Sequence, residues 1–239
     1  MADIVQLFAT CLVDGFKPSV GIATVRLLER AGYEVAYPFD QTCCGQPAHN
    51  AGFHDQAVRM AEHTVRVLDA THGPIVVPSG SCGDMIIHHT PELLAGTPLA
   101  EAAVRVSERT VELTRFLLQV GIGPAEGSDT VAFHRSCHGL RGLGLDGVGE
   151  RLLDDAGVDR CELSGADECC GFGGLFSLEL PEVSTAMLDT KLKAIEDSGA
   201  TVVSAGDVSC LMHIEGGLSR RSSPIRAVHI AEILGGSDG

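Results

Sequence analysis

The chain has 239 residues, 44% of them hydrophobic but only 4% aromatic, with no Trp and a formal net charge of −15. That length and apolar content suit one large domain or two small ones around an aliphatic α/β core, while the acidity repels phosphate and argues against nucleic acid or anionic membranes as partners. The opening Met1-Ala2-Asp3-Ile4-Val5 lacks the basic and long apolar stretches of a signal peptide, and no apolar run nears the ~18 residues of a membrane span, so a cytoplasmic, reducing location without membrane insertion is the expectation.

Residues 4–8 form a short apolar run and predict a strand. Residues 18–31 place Val20, Thr24, Leu27, Leu28 and Ala31 on a helical stripe, opened by Pro18 and closed by Gly32. A second strand follows at 34–37, a second helix at 56–68 with Ala57, Ala61, Val65 and Leu68 on one face, and a third strand at Ile75–Val77. The order then repeats. Leu27-Leu28-Glu29-Arg30-Ala31-Gly32 recurs as Leu152-Leu153-Asp154-Asp155-Ala156-Gly157, and residues 111–117 resemble 228–234. Val183, Met187, Leu188, Leu192 and Ile195 stripe a long helix in the second copy, ahead of a Val202-Val203 strand. Strands alternating with helices imply βαβ crossovers and parallel sheets. The expected fold is α/β, with one unit at residues 1–120, a glycine-rich linker at 121–129 and a second unit at 130–239.

Eight of the nine cysteines repeat with the same copy. Cys11 precedes Cys43-Cys44-Gly45 and Cys82; Cys137 precedes Cys169-Cys170-Gly171 and Cys210. The first cysteine and the pair are 32 residues apart in both copies, and the pair and the last are 38 and 40 apart. Each cysteine falls after a predicted strand, where open α/β sheets bind ligands. Four thiolates hold either an iron–sulfur cluster or a tetrahedral zinc ion. Adjacent side chains diverge on an extended backbone, which favours two irons of a larger cluster over one small ion. The glycines after each pair, including Gly171-Phe172-Gly173-Gly174, let backbone approach an inorganic core closely. Burial as ordinary core thiols fits a lone cysteine better than two matched pairs. Cys161 falls on a strand position in the repeat and reads as core.

Gly142-Leu143-Gly144-Leu145-Asp146-Gly147 spells G-x-G-x-x-G, but the cysteine loop separates it from its strand, so it reads as a glycine-rich loop rather than a dinucleotide site. His134 and His138 flank Cys137 where the first copy has Phe8 and Leu12, so the two sites are expected to differ. A ligand, a hydrogen bond to sulfur, a proton relay or a plain loop histidine are the options. His49, His54, His88 and His89 read as surface or outer residues.

These residues resemble the cysteine-rich CCG domain, found in the cysteine-rich subunit of heterodisulfide reductase and in the iron–sulfur subunits of glycolate oxidase and anaerobic glycerol-3-phosphate dehydrogenase. The closer resemblance is to the short two-domain LutA/YkgE lactate-utilisation family. It rests on Thr10-Cys11-Leu12-Val13-Asp14, Gln41-Thr42-Cys43-Cys44-Gly45-Gln46-Pro47, Pro78-Ser79-Gly80-Ser81-Cys82, Ser136-Cys137-His138, Cys169-Cys170-Gly171-Phe172-Gly173-Gly174 and Gly206-Asp207-Val208-Ser209-Cys210-Leu211-Met212. The resemblance implies two tandem Rossmann-like CCG units related by a pseudo-two-fold axis. It further implies an iron–sulfur redox subunit of a system oxidising L-lactate to pyruvate. The eight cysteines would bind [4Fe–4S] clusters, cubane or non-cubane, and the partners would be a LutB-like ferredoxin-type protein and a LutC-like protein. In heterodisulfide reductase the frame ends in Cys-x-x-Cys, but here Ser79 and Asp207 replace the first cysteine of that motif, which makes them further site candidates. A zinc-stabilised assembly subunit and a thiol–disulfide redox subunit are the alternatives. Arg135 and Arg141, near Cys137, are the nominees for holding lactate's carboxylate.

Overall fold

The computed structural model describes residues 3–236, so Met1, Ala2 and the end of the second unit beyond 236 lie outside the described residues. The first apolar run forms β1 (Ile4–Leu7), buried from Val5 onward. Thr10 accepts a hydrogen bond from the Val13 N–H and caps a short helix, α1 (Cys11–Phe16). After Lys17 comes α2 (Pro18–Arg30), which buries Val20, Ala23, Thr24, Leu27 and Leu28. Then follow β2 (Glu34–Ala36), α3 (Gln46–Asn50), α4 (His54–Asp69) and β3 (Ile75–Val77). Helix α5 (Gly80–Asp84) runs into a wide π turn at Met85–His89 and then α6 (Thr90–Leu93). The half closes with α7 (Ala100–Arg109), β4 (Thr110–Glu112) and α8 (Leu113–Val120). Residues 121–130 form neither helix nor strand.

The second half repeats the plan. It has β5 (Val131–Phe133), a π turn at His138–Gly142, α9 (Val148–Asp155), β6 (Arg160–Cys161), α10 (Phe176–Glu179) and α11 (Pro181–Asp197). It ends with β7 (Val202–Ala205), α12 (Val208–Arg220), β8 (Arg226–His229) and α13 (Ile230–Gly235).

Each half builds a four-stranded sheet, β2-β1-β3-β4 in one and β6-β5-β7-β8 in the other, with every pairing parallel. The expected tandem Rossmann-like architecture is what forms. The sequence pattern predicts three strands per unit, and the fourth strands, β4 and β8, are additional. They run into α8 and α13 without a turn residue between, so no punctuation marks them. Cys161 pairs with Ala132 across β6 and β5 and packs half-buried against the second unit's core.

Three apolar clusters organise the chain. One lies in each unit, and the largest joins the two through Leu27 and Leu28 of α2, Leu117 of α8, Leu152 and Leu153 of α9 and Leu234 of α13. Helix α2 packs on α13 and α8 on α9, two contacts related by the pseudo-two-fold. Fully burying one such side chain is worth about 1.5–3 kcal/mol. The exposed Lys17–Glu215 ion pair across the same seam, at 2.8 Å, belongs to a class worth at most ~1 kcal/mol. Apolar burial therefore holds the units together. Among the described residues no helix is long and apolar enough to cross a membrane.

Candidate metal centre

Topology gathers the cysteines. Cys11 sits on the first turn of α1, just past β1, rather than on a loop, and Cys137 holds the matching place past β5. Cys43-Cys44 and Cys169-Cys170 lie on the irregular segments after β2 and β6. Cys82 lies in α5 and Cys210 in α12, the helices that leave β3 and β7. Each set therefore assembles at the carboxyl edge of its own sheet. Cys44, Cys82, Cys170 and Cys210 are buried, Cys43, Cys137 and Cys169 half-buried, and Cys11 exposed.

The glycine after each pair is dictated by backbone and by space. Gly45 and Gly171 both have φ of 91°, in the left-handed region. A β-carbon on Gly171 would also fall 2.6 Å from the Ser184 carbonyl oxygen, and one on Gly45 would fall 3.1 Å from Met60 Cβ. The turn thus seats each pair against the helix behind it. The Gly171 N–H points at Cys169 Sγ from 3.4 Å, a donor of the kind that stabilises thiolate.

Within each set the sulfurs meet neighbour to neighbour. Cys44 and Cys82 Sγ are 3.2 Å apart. Hydrogen bonds from Cys11 and Cys44 hold the Cys43 thiol down at about 3, while donating to Cys43 pushes Cys11 and Cys44 up, burial adding to the rise. The second set behaves alike: Cys137 and Cys170 hold Cys169 far below the ordinary thiol range and are themselves raised. Cys210 is lowered to about 6, first by Cys170 and then by the nearby His134 ring. One thiol in the first set and two in the second are lowered while their neighbours are raised. Ionising a whole set calls for a cation among the sulfurs, which bound metal would supply.

All eight frame cysteines line one cavity of about 630 Å³ between the two units. Its other walls include Leu12, Phe53, Phe172, Leu175 and Leu178, so the sulfur-rich floor has an apolar surround. Neither Arg135 nor Arg141 reaches it. Arg135 is taken by Glu150 at 2.5 Å and Asp146 at 2.9 Å, and Arg141 is exposed. Those nominations for carboxylate binding are corrected: acidic neighbours on the far side of the loop hold Arg135 away. Among the described residues the cavity wall carries no Lys or Arg.

Ser79 and Asp207 stand where the longer frame would place a cysteine, and both are buried helix caps. Ser79 Oγ accepts from the Cys82 N–H at 3.3 Å, and Asp207 Oδ1 accepts from the Ser209 N–H and hydroxyl at 3.2 and 2.6 Å. They also meet each other. Asp207 Oδ2 accepts from Ser79 Oγ at 3.2 Å and from the Ser81 N–H at 2.8 Å, across the seam. Four donors occupy this carboxylate.

A second polar bridge crosses the seam nearby. His138 Nδ1 lies 2.7 Å from Asp84 Oδ2, and its Nε2 lies 3.2 Å from Gln46 Nε2. Since a carboxylate only accepts, Nδ1 carries the proton and Nε2 accepts from the Gln46 amide. Asp84 also binds His88 Nδ1 at 2.8 Å, and these histidines hold it below the usual carboxylate range against its burial. Gly142 of the glycine-rich loop lies against the same carboxylate, where a β-carbon would overlap it. Asp84, Gln46 and His88 do not stand out in the sequence. The available signal was asymmetry: the repeat sets Asp84 against Met212 and Gln46 against Phe172.

His134 is the most unusual of the flanking residues. It is fully buried, and neither ring nitrogen meets a nitrogen or oxygen partner; the group within its reach is the Cys210 sulfur. Its backbone N–H bonds to Ser204 at 2.7 Å as Phe8 bonds to Val76 at 3.0 Å, so the ring takes the place of the Phe8 ring. An unpaired buried polar group costs about 1–3 kcal/mol. Packing alone does not account for His134, since Phe8 fills the equivalent space without that cost.

Comparison with known proteins follows the same outline. A family model described as "Cysteine-rich domain" (CCG) matches residues 5–87 and 131–215. The chain is 41% identical over 237 residues to a protein named Lactate utilization protein A from Exiguobacterium sp., covering 96% of each. It is 42% identical to another of that name from Macrococcus caseolyticus, covering 96% of this chain and 95% of that one. A solved structure of a hypothetical protein from Helicobacter pylori superposes with a TM-score of 0.67 at 13% identity, over 99% of this chain and 50% of that one. The chain thus spans half of that structure, and the likeness is one of fold.

Proposed function

The chain belongs to the CCG cysteine-rich family of Lactate utilization protein A, and from that premise we propose that it is an iron–sulfur redox subunit of a system oxidising L-lactate to pyruvate. Participation in lactate utilisation follows the full-length relatives. The redox role is carried by one observation: all eight frame cysteines face a single cavity. In this reading Cys11, Cys43, Cys44 and Cys82 hold one cluster, and Cys137, Cys169, Cys170 and Cys210 the other. The donor sets suit [4Fe–4S] centres: four soft sulfurs each, glycines that permit close approach, and thiols that ionise together only around a cation.

Such clusters, when bound, take up and release electrons one at a time. The chain's own residues do the rest. The Gly171 N–H supports the Cys169 sulfur. Leu12, Phe53, Phe172, Leu175 and Leu178 give the sulfurs an apolar surround, and surroundings of this kind tune potential. The Ser79–Asp207 contact fixes the two sites relative to each other. The described wall residues include no Lys or Arg to pair as a fixed cation with lactate's carboxylate, which favours relay over substrate binding. We place the protein in the cytoplasm and divide it at residues 1–120 and 130–239 with 121–129 as linker. Its partners in this reading are a LutB-like ferredoxin-type protein and a LutC-like protein.

Anaerobic purification with iron, sulfide and zinc analysis tests the proposal, together with visible and EPR spectra. Iron and sulfide at two sites per chain, with a charge-transfer absorbance, are expected. A colourless protein holding about one zinc per unit would overturn the redox reading in favour of an assembly role.

A further inference from the structure

The two cysteine sets match in thiol number and in the glycine turn, yet their back walls differ. Phe8 closes the first and His134 the second, at the same backbone position. A fully buried histidine, its two nitrogens without a nitrogen or oxygen partner, sits with one of them within 4.8 Å of the sulfurs of Cys170 and Cys210. Among the described residues this trio is the one group of three or more Cys, His, Asp or Glu side chains whose metal-binding atoms all lie within 4.8 Å of one another. Buried imidazole nitrogens in folded proteins are hydrogen-bonded or metal-bound, and no nitrogen or oxygen partner is provided here: what lies within reach of the ring is the sulfur of Cys210, itself a thiol of the cysteine frame. The other extra donor in this unit, Asp207, is already committed to Ser79, Ser81 and Ser209. His134 remains as the uncommitted one.

We propose that His134 donates a ring nitrogen to the metal of the second site, so that this site offers four thiolates and an imidazole while the first offers four thiolates alone. The assignment rests on reading the cysteine sets as metal centres. It gives the sites different donor sets, and hence different potentials, although their cysteine frames are the same. The asymmetry sits in the first coordination sphere, where its effect is largest.

The test uses the full chain, produced with ¹⁵N-labelled histidine, purified anaerobically, assayed for metal and examined by pulsed EPR after reduction. The expected result is a strong ¹⁵N coupling from a directly bonded nitrogen on one of two sites. His134→Phe, which copies the first unit's own residue, should abolish that coupling. It should also weaken metal binding at that site beyond the ~10- to 100-fold cost of losing an outer-shell partner. The labelled wild-type protein answers the question even if the variant fails to fold. Metal at both sites with no strongly coupled nitrogen overturns the assignment and leaves the proposed function standing. Zinc at the second site that His134→Phe releases supports the assignment while overturning the cluster reading. A wild-type chain that takes up no metal overturns both.

Discussion

The two units share a fold, a cysteine frame and a left-handed glycine, and differ at nearly every residue that touches them. Phe8 answers to His134, Leu12 to His138, Asp84 to Met212, Ser79 to Asp207 and the cap Glu112 to the cap His229. What is repeated is the ability to hold something at a sheet edge. What differs is where the polarity sits: His134 and His138 stand in the second half where the first has Phe8 and Leu12, while Asp84 and Gln46 of the first half answer to Met212 and Phe172. The lesson is that the frame specifies a cofactor class while the flanks specify two inequivalent positions for it.

The severest way to break this comparison is to remove one buried thiol from each half. Cys44→Ser and Cys170→Ser should each release the metal of their own site and leave the other loaded, as read by iron content after anaerobic purification. If either variant emptied both sites, the halves would be one unit and the contrast between them void.

The next effect separates the halves by pH. Burial raises Glu112, the cap of α8, from 4.5 to about 7, and Asp207 adds to the rise. The folded chain therefore holds this proton more tightly than the unfolded one. Its contribution is complete below 4.5 and is lost as pH rises to about 7, for a total of about 3 kcal/mol. His229, the cap of α13, is lowered by burial from 6.5, so the folded chain resists its protonation and the stability it secures is lost as pH falls below 6.5. Urea titrations across pH should show Glu112→Gln removing the decline on the alkaline side and His229→Gln the decline on the acid side. Parallel changes in both variants would refute opposite roles for the two caps.

A smaller difference lies at the seam. Asp207→Ala strands the donors of Ser79, Ser81 and Ser209 and should cost about 1–3 kcal/mol. Ser79→Ala loses one cap bond and should cost about 1 kcal/mol. Chemical denaturation measures both, and equal costs would mean that the carboxylate does nothing a hydroxyl cannot. Smallest of all, Lys17→Ala should change stability by less than ~1 kcal/mol, because the Glu215 partner is solvent-accessible.

Much of the fold was legible because local chemistry and global topology agree. Pro18 and Gly32 bracket a striped helix, and short apolar runs such as residues 4–8, Ile75–Val77 and Val202-Val203 mark strands. The strands β4 and β8 escaped because they pass into helices within a single residue step, leaving neither a turn nor a change of composition to mark them. The cysteine sets could be placed at sheet edges from order alone. Their opening onto one cavity could not, because it depends on α2 docking on α13 and α8 on α9, contacts between residues far apart in the chain. The Asp84–His138 bridge and the Ser79–Asp207 bridge were hidden for the same reason: each needs one partner from each half.

The Ser79–Asp207 hydrogen bond has a consequence for how such a molecule is built. These residues occupy equivalent places in the two halves and meet across the pseudo-axis. A homodimer of identical halves must present the same side chain from both sides. Two aspartates there would crowd like charges until one took up a proton, and two serines would leave the Ser81 N–H without its carboxylate. Two copies of different sequence, here carried on one polypeptide, can set a donor on one side and an acceptor on the other. Carrying both copies in one chain thus lets the halves specialise against each other at their point of closest symmetry.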